Sequence, residues 1–167
     1  MGTLALDFDG VIRKWPYPVQ KYADFLSPND ILVRAKLFFL RKLLSKIFMH
    51  YFPTIIDGEL IEGIKRKWKG RIIIVTGRYT PEEVEEVRKR VLPYLKVDKI
   101  YFRENPGEYE EKFKERILKL EKVDYFIEDR YFVVNYLRRK GINAIKIDQL
   151  RGKKCELRLN FSSLEAL

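Results

Sequence analysis

The segment Arg71-Ile-Ile-Ile-Val75 is the feature that most constrains the fold. Its four residues after Arg71 are all β-branched, and such side chains favour extended backbone. A continuous run of this kind, without polar alternation, is typical of a strand in a parallel sheet that is buried on both faces. The run therefore predicts a parallel sheet with helices packed on either side.

The rest of the chain alternates between strand-like and helix-like segments at spacings that suit such a sheet. Further strands are predicted at Thr3–Phe8, Lys99–Phe102, Asp124–Ile127 and Ala144–Ile147, and helices at Gly58–Lys69, Thr80–Val91, Glu108–Lys122 and Phe132–Lys140. This order predicts an α/β, Rossmann-like fold with a parallel sheet of about five strands and right-handed crossovers. Ligands of such sheets bind at the carboxyl ends of the strands.

Two of the predicted helices have clear local signals. Thr80-Pro81-Glu82-Glu83 reads as an N-cap, a proline in the first turn and two acids at the positive end of the helix. In the helix over Glu108–Lys122, Phe113, Ile117 and Leu120 fall on one face.

The length of 167 residues predicts one domain over residues 1–167. Residues 13–57 interrupt the alternation and are interpreted as a small helical, cap-like insertion. Within them, Asn29–Phe52 is predicted to be a long helix, because apolar residues recur along it at three- and four-residue steps. Four interpretations of the segment stay open: a cap over an active site, a homodimer contact, a membrane-surface helix, or a nucleic-acid contact.

Composition limits the kinds of catalytic and metal-binding site that the chain can form. The chain has one cysteine, Cys155, and one histidine, His50, which excludes an intrachain disulfide and a multi-histidine zinc site. Carboxylates, hydroxyls, lysines and arginines must carry any catalysis. A formal net charge of +10 attracts anions, so phosphorylated small molecules and nucleic acid are both candidate partners.

The expected setting of the protein also follows from composition. No stretch approaches the roughly 20 apolar residues of a membrane span, and no secretory signal precedes Thr3, so a cytoplasmic protein is expected. Abundant lysine and glutamate with sparse asparagine and glutamine favour a thermophile as the host.

Asp7 and Asp9, within Leu6-Asp7-Phe8-Asp9-Gly10-Val11, are the strongest candidates for a functional site. Alternation in a strand places the two acids on the same side, about 6 to 7 Å apart. Gly10 lets the backbone turn sharply after them. Two carboxylates this close repel unless a cation or a shared proton relieves the repulsion, and Mg²⁺ prefers oxygen ligands. A pair of solvated acids at a strand end is the alternative interpretation.

Polar residues also follow two other predicted strands. Thr76, Gly77 and Arg78 offer a hydroxyl, a backbone N–H and a guanidinium to a phosphoryl group. Glu128 and Asp129 form a second acidic pair that could complete a magnesium shell, and Arg130 is expected to pair with an acid.

A lysine is needed to offset the charge of a phosphate dianion beside an aspartate. Lys112 and Lys114 are both candidates, because both lie on the predicted helix that precedes the Asp124–Ile127 strand. The pattern leaves the choice between them open.

Taken together, these motifs resemble those of the haloacid dehalogenase-like (HAD) hydrolases, over Thr3 to about Ile147. Asp7 matches the nucleophile of that superfamily and Asp9 its acid/base. Thr76 matches the phosphate-binding hydroxyl, Lys112 or Lys114 the lysine, and Asp129 the late metal acid. The resemblance implies Mg²⁺ bound by Asp7, the main-chain carbonyl of Asp9 and Asp129. Glu128 departs from the family pattern, since many members carry aspartate or glycine there, but its longer carboxylate can still serve the metal through water.

The resemblance implies a phosphatase that forms an aspartyl phosphate, because dehalogenases of the superfamily lack an acid two residues after the nucleophile. The segment around Ile127-Glu128-Asp129-Arg130 also resembles the phosphatase domains of polynucleotide kinase-phosphatases, although the 13–57 insertion is not typical of them. A polynucleotide 3′-phosphatase and a non-catalytic binding protein with this fold are therefore the alternatives.

Overall fold

The computed structural model of the protein describes residues 2–14, 55–105 and 107–150. The strands are β1 (Thr3–Leu6), β2 (Arg13–Lys14), β3 (Ile55–Ile56), β4 (Arg71–Thr76), β5 (Lys99–Phe102), β6 (Tyr125–Glu128) and β7 (Ala144–Lys146). The helices are α1 (Gly58–Lys67), α2 (Pro81–Val91), α3 (Glu110–Leu120), α4 (Tyr131–Arg139) and α5 (Ile147–Leu150).

Five of the strands form one parallel sheet in the order β5-β4-β1-β6-β7. The chain therefore starts in the middle of the sheet, builds outward through β4 and β5, and then returns to the other side of β1 to add β6 and β7. Such a reversal of direction leaves a crevice at the carboxyl ends of the central strands, where ligands of open α/β sheets bind.

The hydrophobic core lies on both faces of this sheet. Leu4, Leu6, Ile72 and Ile74 belong to a cluster with residues of α1 and α2. The residues between them in the strands, such as Ala5, Ile73 and Val75, belong to a second cluster with residues of α3 and α4. Both sets are buried, which explains why the β4 sequence is apolar without alternation. Full burial of each such side chain contributes about 1.5–3 kcal/mol.

A short two-stranded ribbon adjoins the sheet. β2 and β3 pair in antiparallel fashion, with Arg13 opposite Ile56 and Lys14 opposite Ile55. Asp57 then caps α1, since its Oδ1 accepts from the Leu60 backbone N–H at 3.2 Å. β2 therefore follows the loop after β1, and β3 leads directly into α1.

The predicted fold class is confirmed: the chain has an α/β fold with a parallel five-stranded sheet between helices. The strand predicted to end at Ile147 instead ends at Lys146, and Ile147 begins α5 as a buried residue. The predicted helix over Asn29–Phe52, and with it most of the 13–57 insertion, lies outside the described residues. The single-domain organisation over residues 1–167 stays a prediction. In the three described ranges, no helix has the length and apolar character needed to cross a membrane.

Candidate active site

The carboxyl ends of β1, β4 and β6 place the predicted site residues side by side. Leu6 is in register with Ile74 of β4 and with Ile127 of β6. The pairing continues one residue further, because the Asp7 backbone N–H donates to the Ile127 carbonyl at 2.9 Å. Asp7 therefore leaves the sheet level with Glu128.

Asp7 is a buried carboxylate in contact with a buried ammonium. Its Oδ2 lies 3.1 Å from Lys114 Nζ. Its Oδ1 is also buried, and it has no hydrogen-bond partner within the described part of the chain. Burial raises the pKa of Asp7 well above its usual range, and the positive charge of Lys114 only partly counteracts this effect. A cation at Oδ1 would hold the carboxylate in its ionised form.

Of the two candidate lysines, Lys114 is the one that the structure brings to Asp7. Its ammonium also lies 2.7 Å from Glu110 Oε1 and 2.6 Å from Glu128 Oε2. Burial alone would lower the pKa of Lys114, but the surrounding carboxylates raise it above its usual value. Lys112 is exposed on the same helix, with Nζ 5.6 Å from the centre of the Tyr109 ring.

Glu128 and Asp129 complete an acidic group with Asp7. One ligand atom from each of the three carboxylates can be chosen so that all lie within 4.8 Å of one another. Both oxygens of Glu128 are engaged: Oε2 accepts from Lys114, and Oε1 accepts from the backbone N–H groups of Asp129 and Arg130 at 3.1 and 3.2 Å. Burial and the neighbouring Glu128 raise the pKa of Asp129 well above its usual range.

Gly10 makes room for the Asp129 carboxylate. It has φ +76°, a conformation that L side chains rarely adopt. A Cβ at this position would lie 1.9 Å from Asp129 Oδ2, which is a collision. The glycine that was expected to allow a turn after Asp9 therefore also permits close packing between the first loop and the acid after β6.

Asp9 is held by two arginines. Arg78 makes a bidentate contact, Nε to Oδ2 at 2.8 Å and Nη2 to Oδ1 at 2.9 Å, and Arg13 Nη1 lies 3.3 Å from Oδ1. Burial works against ionisation of Asp9, but Arg78 and Arg13 lower its pKa below the usual value. The remaining Nη1 of Arg78 lies 2.5 Å from Glu86 Oε2. The guanidinium predicted to bind phosphate thus binds carboxylates in this structure.

Thr76 is the last residue of β4, and Gly77 begins the turn that follows it. The Thr76 hydroxyl is buried and accepts from the Arg78 backbone N–H at 3.4 Å. A Cβ on Gly77 would lie 2.5 Å from Glu110 Cδ, so this turn packs directly against a carboxylate. Both residues therefore lie beside the charged cluster around Lys114.

Besides Arg13, which pairs with Asp9, the motifs also did not predict Glu110. It lies in the first turn of α3 and is 4% exposed. It forms ion pairs with Lys114 and with Arg130. In the sequence, an acid in the first turn of a helix reads as a favourable partner of the helix dipole. Its spacing of four residues before Lys114 was the available signal, since such residues meet on one helix face.

Comparison with known proteins supports the fold. No family model and no curated protein matches the chain. The chain is similar to chains in two structures described as the Pnkp1/Rnl/Hen1 RNA repair complex and the Pnkp1/Rnl/Hen1 complex. Identities are 16% and 17%, TM-scores are 0.54 and 0.55, and 87% of this chain is covered in each.

The chain spans less than half of those proteins, 42% and 45% of their lengths. A third similar structure, from Thermotoga maritima, is provisionally assigned as a beta-phosphoglucomutase. It matches at 18% identity and a TM-score of 0.48, over 85% of this chain and 82% of that one. At these identities the similarities show the fold alone. That shared fold agrees with the parallel α/β sheet described above.

Proposed function

We propose that the protein is a Mg²⁺-dependent phosphatase that hydrolyses a phosphomonoester through an aspartyl-phosphate intermediate on Asp7. The observation that carries the proposal is the burial of Asp7 between Lys114 and the acids after β6, at the edge of the sheet where α/β folds bind ligands. A buried carboxylate beside an ammonium suits a nucleophile that attacks a charged phosphorus centre.

The acidic group fits a divalent cation. Asp7 Oδ1 is buried without a protein donor among the described residues, and Asp129 lies within reach of the same point. Both carboxyls have raised pKa values, which a hard cation would reverse. We infer that Asp7 and Asp129 would bind Mg²⁺ directly, with the Asp9 carbonyl as the resemblance implies. Glu128, whose oxygens are engaged by Lys114 and by two N–H groups, would act through water or through its charge. When bound, Mg²⁺ supplies positive charge against the phosphoryl oxygens.

The residues of the chain then divide the reaction between them. Asp7 attacks phosphorus, and the bond between phosphorus and the leaving oxygen breaks as the aspartyl phosphate forms. Asp9 gives a proton to the leaving oxygen and later takes one from the water that hydrolyses the intermediate. Lys114 offsets the negative charge of the phosphoryl oxygens, and the Thr76 hydroxyl donates a hydrogen bond to one of them.

Arg78 connects phosphate binding to this proton transfer. While it holds Asp9 bidentately, Asp9 stays ionised and is suited to accept a proton rather than to donate one. A substrate phosphate presents the same paired oxygens to a guanidinium as a carboxylate does. We infer that Arg78 moves from Asp9 to the substrate, which would raise the pKa of Asp9 towards the value that a general acid needs.

A polynucleotide 3′-phosphatase is the second candidate. Two observations favour it: the net charge of +10, and the fold shared with a chain of an RNA repair complex. Contacts to several phosphates would make its activity fall steeply with salt. A phosphorylated small molecule remains the first candidate substrate, because the described site residues provide binding groups for a single phosphate.

The test is phosphate release from a panel of sugar phosphates, nucleotides and a 3′-phosphorylated oligonucleotide, with Mg²⁺ or with a chelator. We expect release only with Mg²⁺, and a loss of at least about 10³-fold in Asp7→Asn. Asp148→Asn is the matched control, because Asp148 is an exposed acid of α5 that pairs with Lys146 at the end of β7. It should retain the activity of the unaltered protein.

The panel also separates the candidates. A clear preference for the oligonucleotide over free nucleotides would favour the 3′-phosphatase. Equal activity on both would remove it. Folded, Mg²⁺-supplied protein that releases no phosphate from any ester would contradict the proposal and favour a non-catalytic binding protein.

A further inference from the structure

Glu110 belongs to the charged cluster around Lys114, although no sequence motif includes it. Its side chain is 6% exposed and lies between two cations from different elements, Lys114 of α3 and Arg130, which precedes α4. The buried Arg103, at the end of β5, also favours the charge of Glu110 and helps to hold its pKa well below the usual value against the effect of burial. A carboxylate held in this way is ionised and fixed.

Lys114 depends on Glu110 for its position. An ammonium has three N–H groups. Within the described part of the chain, three carboxylate oxygens lie within ion-pair distance of Lys114 Nζ, one each from Asp7, Glu110 and Glu128. Each of the three can engage one N–H group. Without the Glu110 charge, the ammonium would be free to shift between Asp7 and Glu128, and its distance to a phosphoryl group on Asp7 would no longer be fixed.

Glu110 also contacts the turn after β4. The Cβ that Gly77 lacks would lie 2.5 Å from Glu110 Cδ and within 2.8 Å of both carboxylate oxygens. The backbone that carries the Thr76 hydroxyl and the Gly77 N–H therefore lies against the same carboxylate that fixes Lys114. One side chain thus contacts both the lysine and the turn.

We propose that Glu110 is a positioning residue, which holds Lys114 against Asp7 and in register with the Thr76-Gly77 turn. The inference rests on the proposed phosphatase function. Because Glu110 acts through the charge and placement of Lys114, its loss should slow the chemical step more than it weakens substrate binding.

The test compares Glu110→Gln with Glu110→Asp. Glutamine keeps the length and shape of the side chain but not its charge, whereas aspartate keeps the charge and is shorter by one methylene. We expect Glu110→Gln to lower kcat by about 10- to 100-fold while KM changes by less than about threefold. Glu110→Asp should retain more activity than Glu110→Gln. Circular dichroism and thermal unfolding give the folded fraction of each variant. Each kcat is then divided by that fraction.

Glu108→Gln is the matched control, since Glu108 forms a more exposed ion pair with Arg116 near the same helix start. It should leave kcat unchanged. Folded Glu110→Gln with the kcat of the unaltered protein, or with more activity than Glu110→Asp, would overturn the inference. If Glu110→Gln does not fold, Glu110→Asp decides: activity within about tenfold of the unaltered protein supports the role of the charge, and complete loss overturns it. No release by the unaltered protein would instead contradict the proposed function.

Discussion

Gly10 and Gly141 have the same backbone conformation in different surroundings. Both have φ +76°, yet a Cβ on Gly10 would collide with Asp129, whereas a Cβ on Gly141 would meet nothing within 4 Å. The two glycines therefore separate the cost of a left-handed backbone from the cost of displacing a site carboxylate.

We expect Gly141→Ala to lower the free energy of unfolding by about 1–2 kcal/mol, the cost of placing an L residue in this conformation. It should leave activity per folded molecule unchanged. Gly10→Ala should lower stability by more, and should reduce Mg²⁺-dependent phosphate release by at least about 10-fold, because Asp129 must move. Urea unfolding and the phosphatase assay measure the two effects. Equal activity in the two variants would contradict the proposed role of Asp129.

At the residue scale, strand ends and alternation were enough to locate Asp7, Asp9, Thr76 and Asp129 at one edge, because parallel strands bring their carboxyl ends together. They were not enough to choose between Lys112 and Lys114, since both lie on one helix and the choice depends on which face meets the sheet. The sequence pattern also did not predict the partners of Arg78. A guanidinium that can bind phosphate can equally bind Asp9, and only the packed structure shows which partner is present.

At the element scale, local signals predicted helix starts well. Thr80 caps α2, and Glu83 completes a reciprocal capping box, because the Glu83 N–H donates to Thr80 and the Glu83 carboxylate accepts from the Thr80 N–H. The apolar face of α3 is buried only in part. Phe113 and Ile117 are buried, but Leu120 is 67% exposed, and Leu118 packs in the core instead. Leu120 is the last residue of α3, where the chain turns away, so periodicity no longer decides burial.

The end of α3 is tied to the sheet by Glu121. Its carboxylate accepts from the Tyr101 hydroxyl, from Arg71 Nη2 at 2.8 Å and from Lys99 Nζ at 3.2 Å. These hydrogen bonds, that of Tyr101 foremost, lower the pKa of Glu121 to about 2. Since the pKa in the folded state lies below the ordinary value, the stabilisation is present above that ordinary value and is lost as pH falls through about 2.

Glu121→Gln should therefore lower the free energy of unfolding by about 1–3 kcal/mol at neutral pH. The difference between the two proteins should shrink as pH falls from about 5 towards 2. Urea unfolding at a series of pH values measures it. Glu62→Gln removes an exposed pair with Lys65 and should cost less than about 1 kcal/mol at any pH. A Glu121→Gln difference that does not change with pH would contradict this account.

At the scale of the whole molecule, the α/β architecture followed from the alternation of segments, since few arrangements cover a parallel sheet on both faces. The network of buried charges did not follow, because it joins residues that are far apart in sequence. Arg130, for example, meets Glu110 across the gap between α3 and α4. The predicted pairing of Arg130 with an acid is present, but the sequence did not identify the acid.

Metal binding should change the stability of the whole fold in a pH-dependent way. Because burial raises the pKa values of Asp7 and Asp129, Mg²⁺ has to displace protons from them at low pH. Saturating Mg²⁺ should therefore raise Tm more at about pH 8 than at about pH 5. Thermal unfolding with Mg²⁺ or a chelator measures this, and Asp7→Asn should abolish most of the effect. An equal rise in Tm at both pH values would contradict the assignment of these two carboxyls as ligands.

β2 and β3 bring together the two described residues that flank residues 15–54. Lys14 and Ile55 are directly opposite each other, so the chain leaves and rejoins the fold at neighbouring strands, about 4.8 Å apart. Such a segment can lengthen, shorten or be replaced without changing the order of the sheet or the spacing between Asp7 and Thr76. Its length and sequence can therefore vary independently of the residues that carry the proposed reaction. Chains that share these edge residues but differ at this point should differ in substrate before they differ in chemistry.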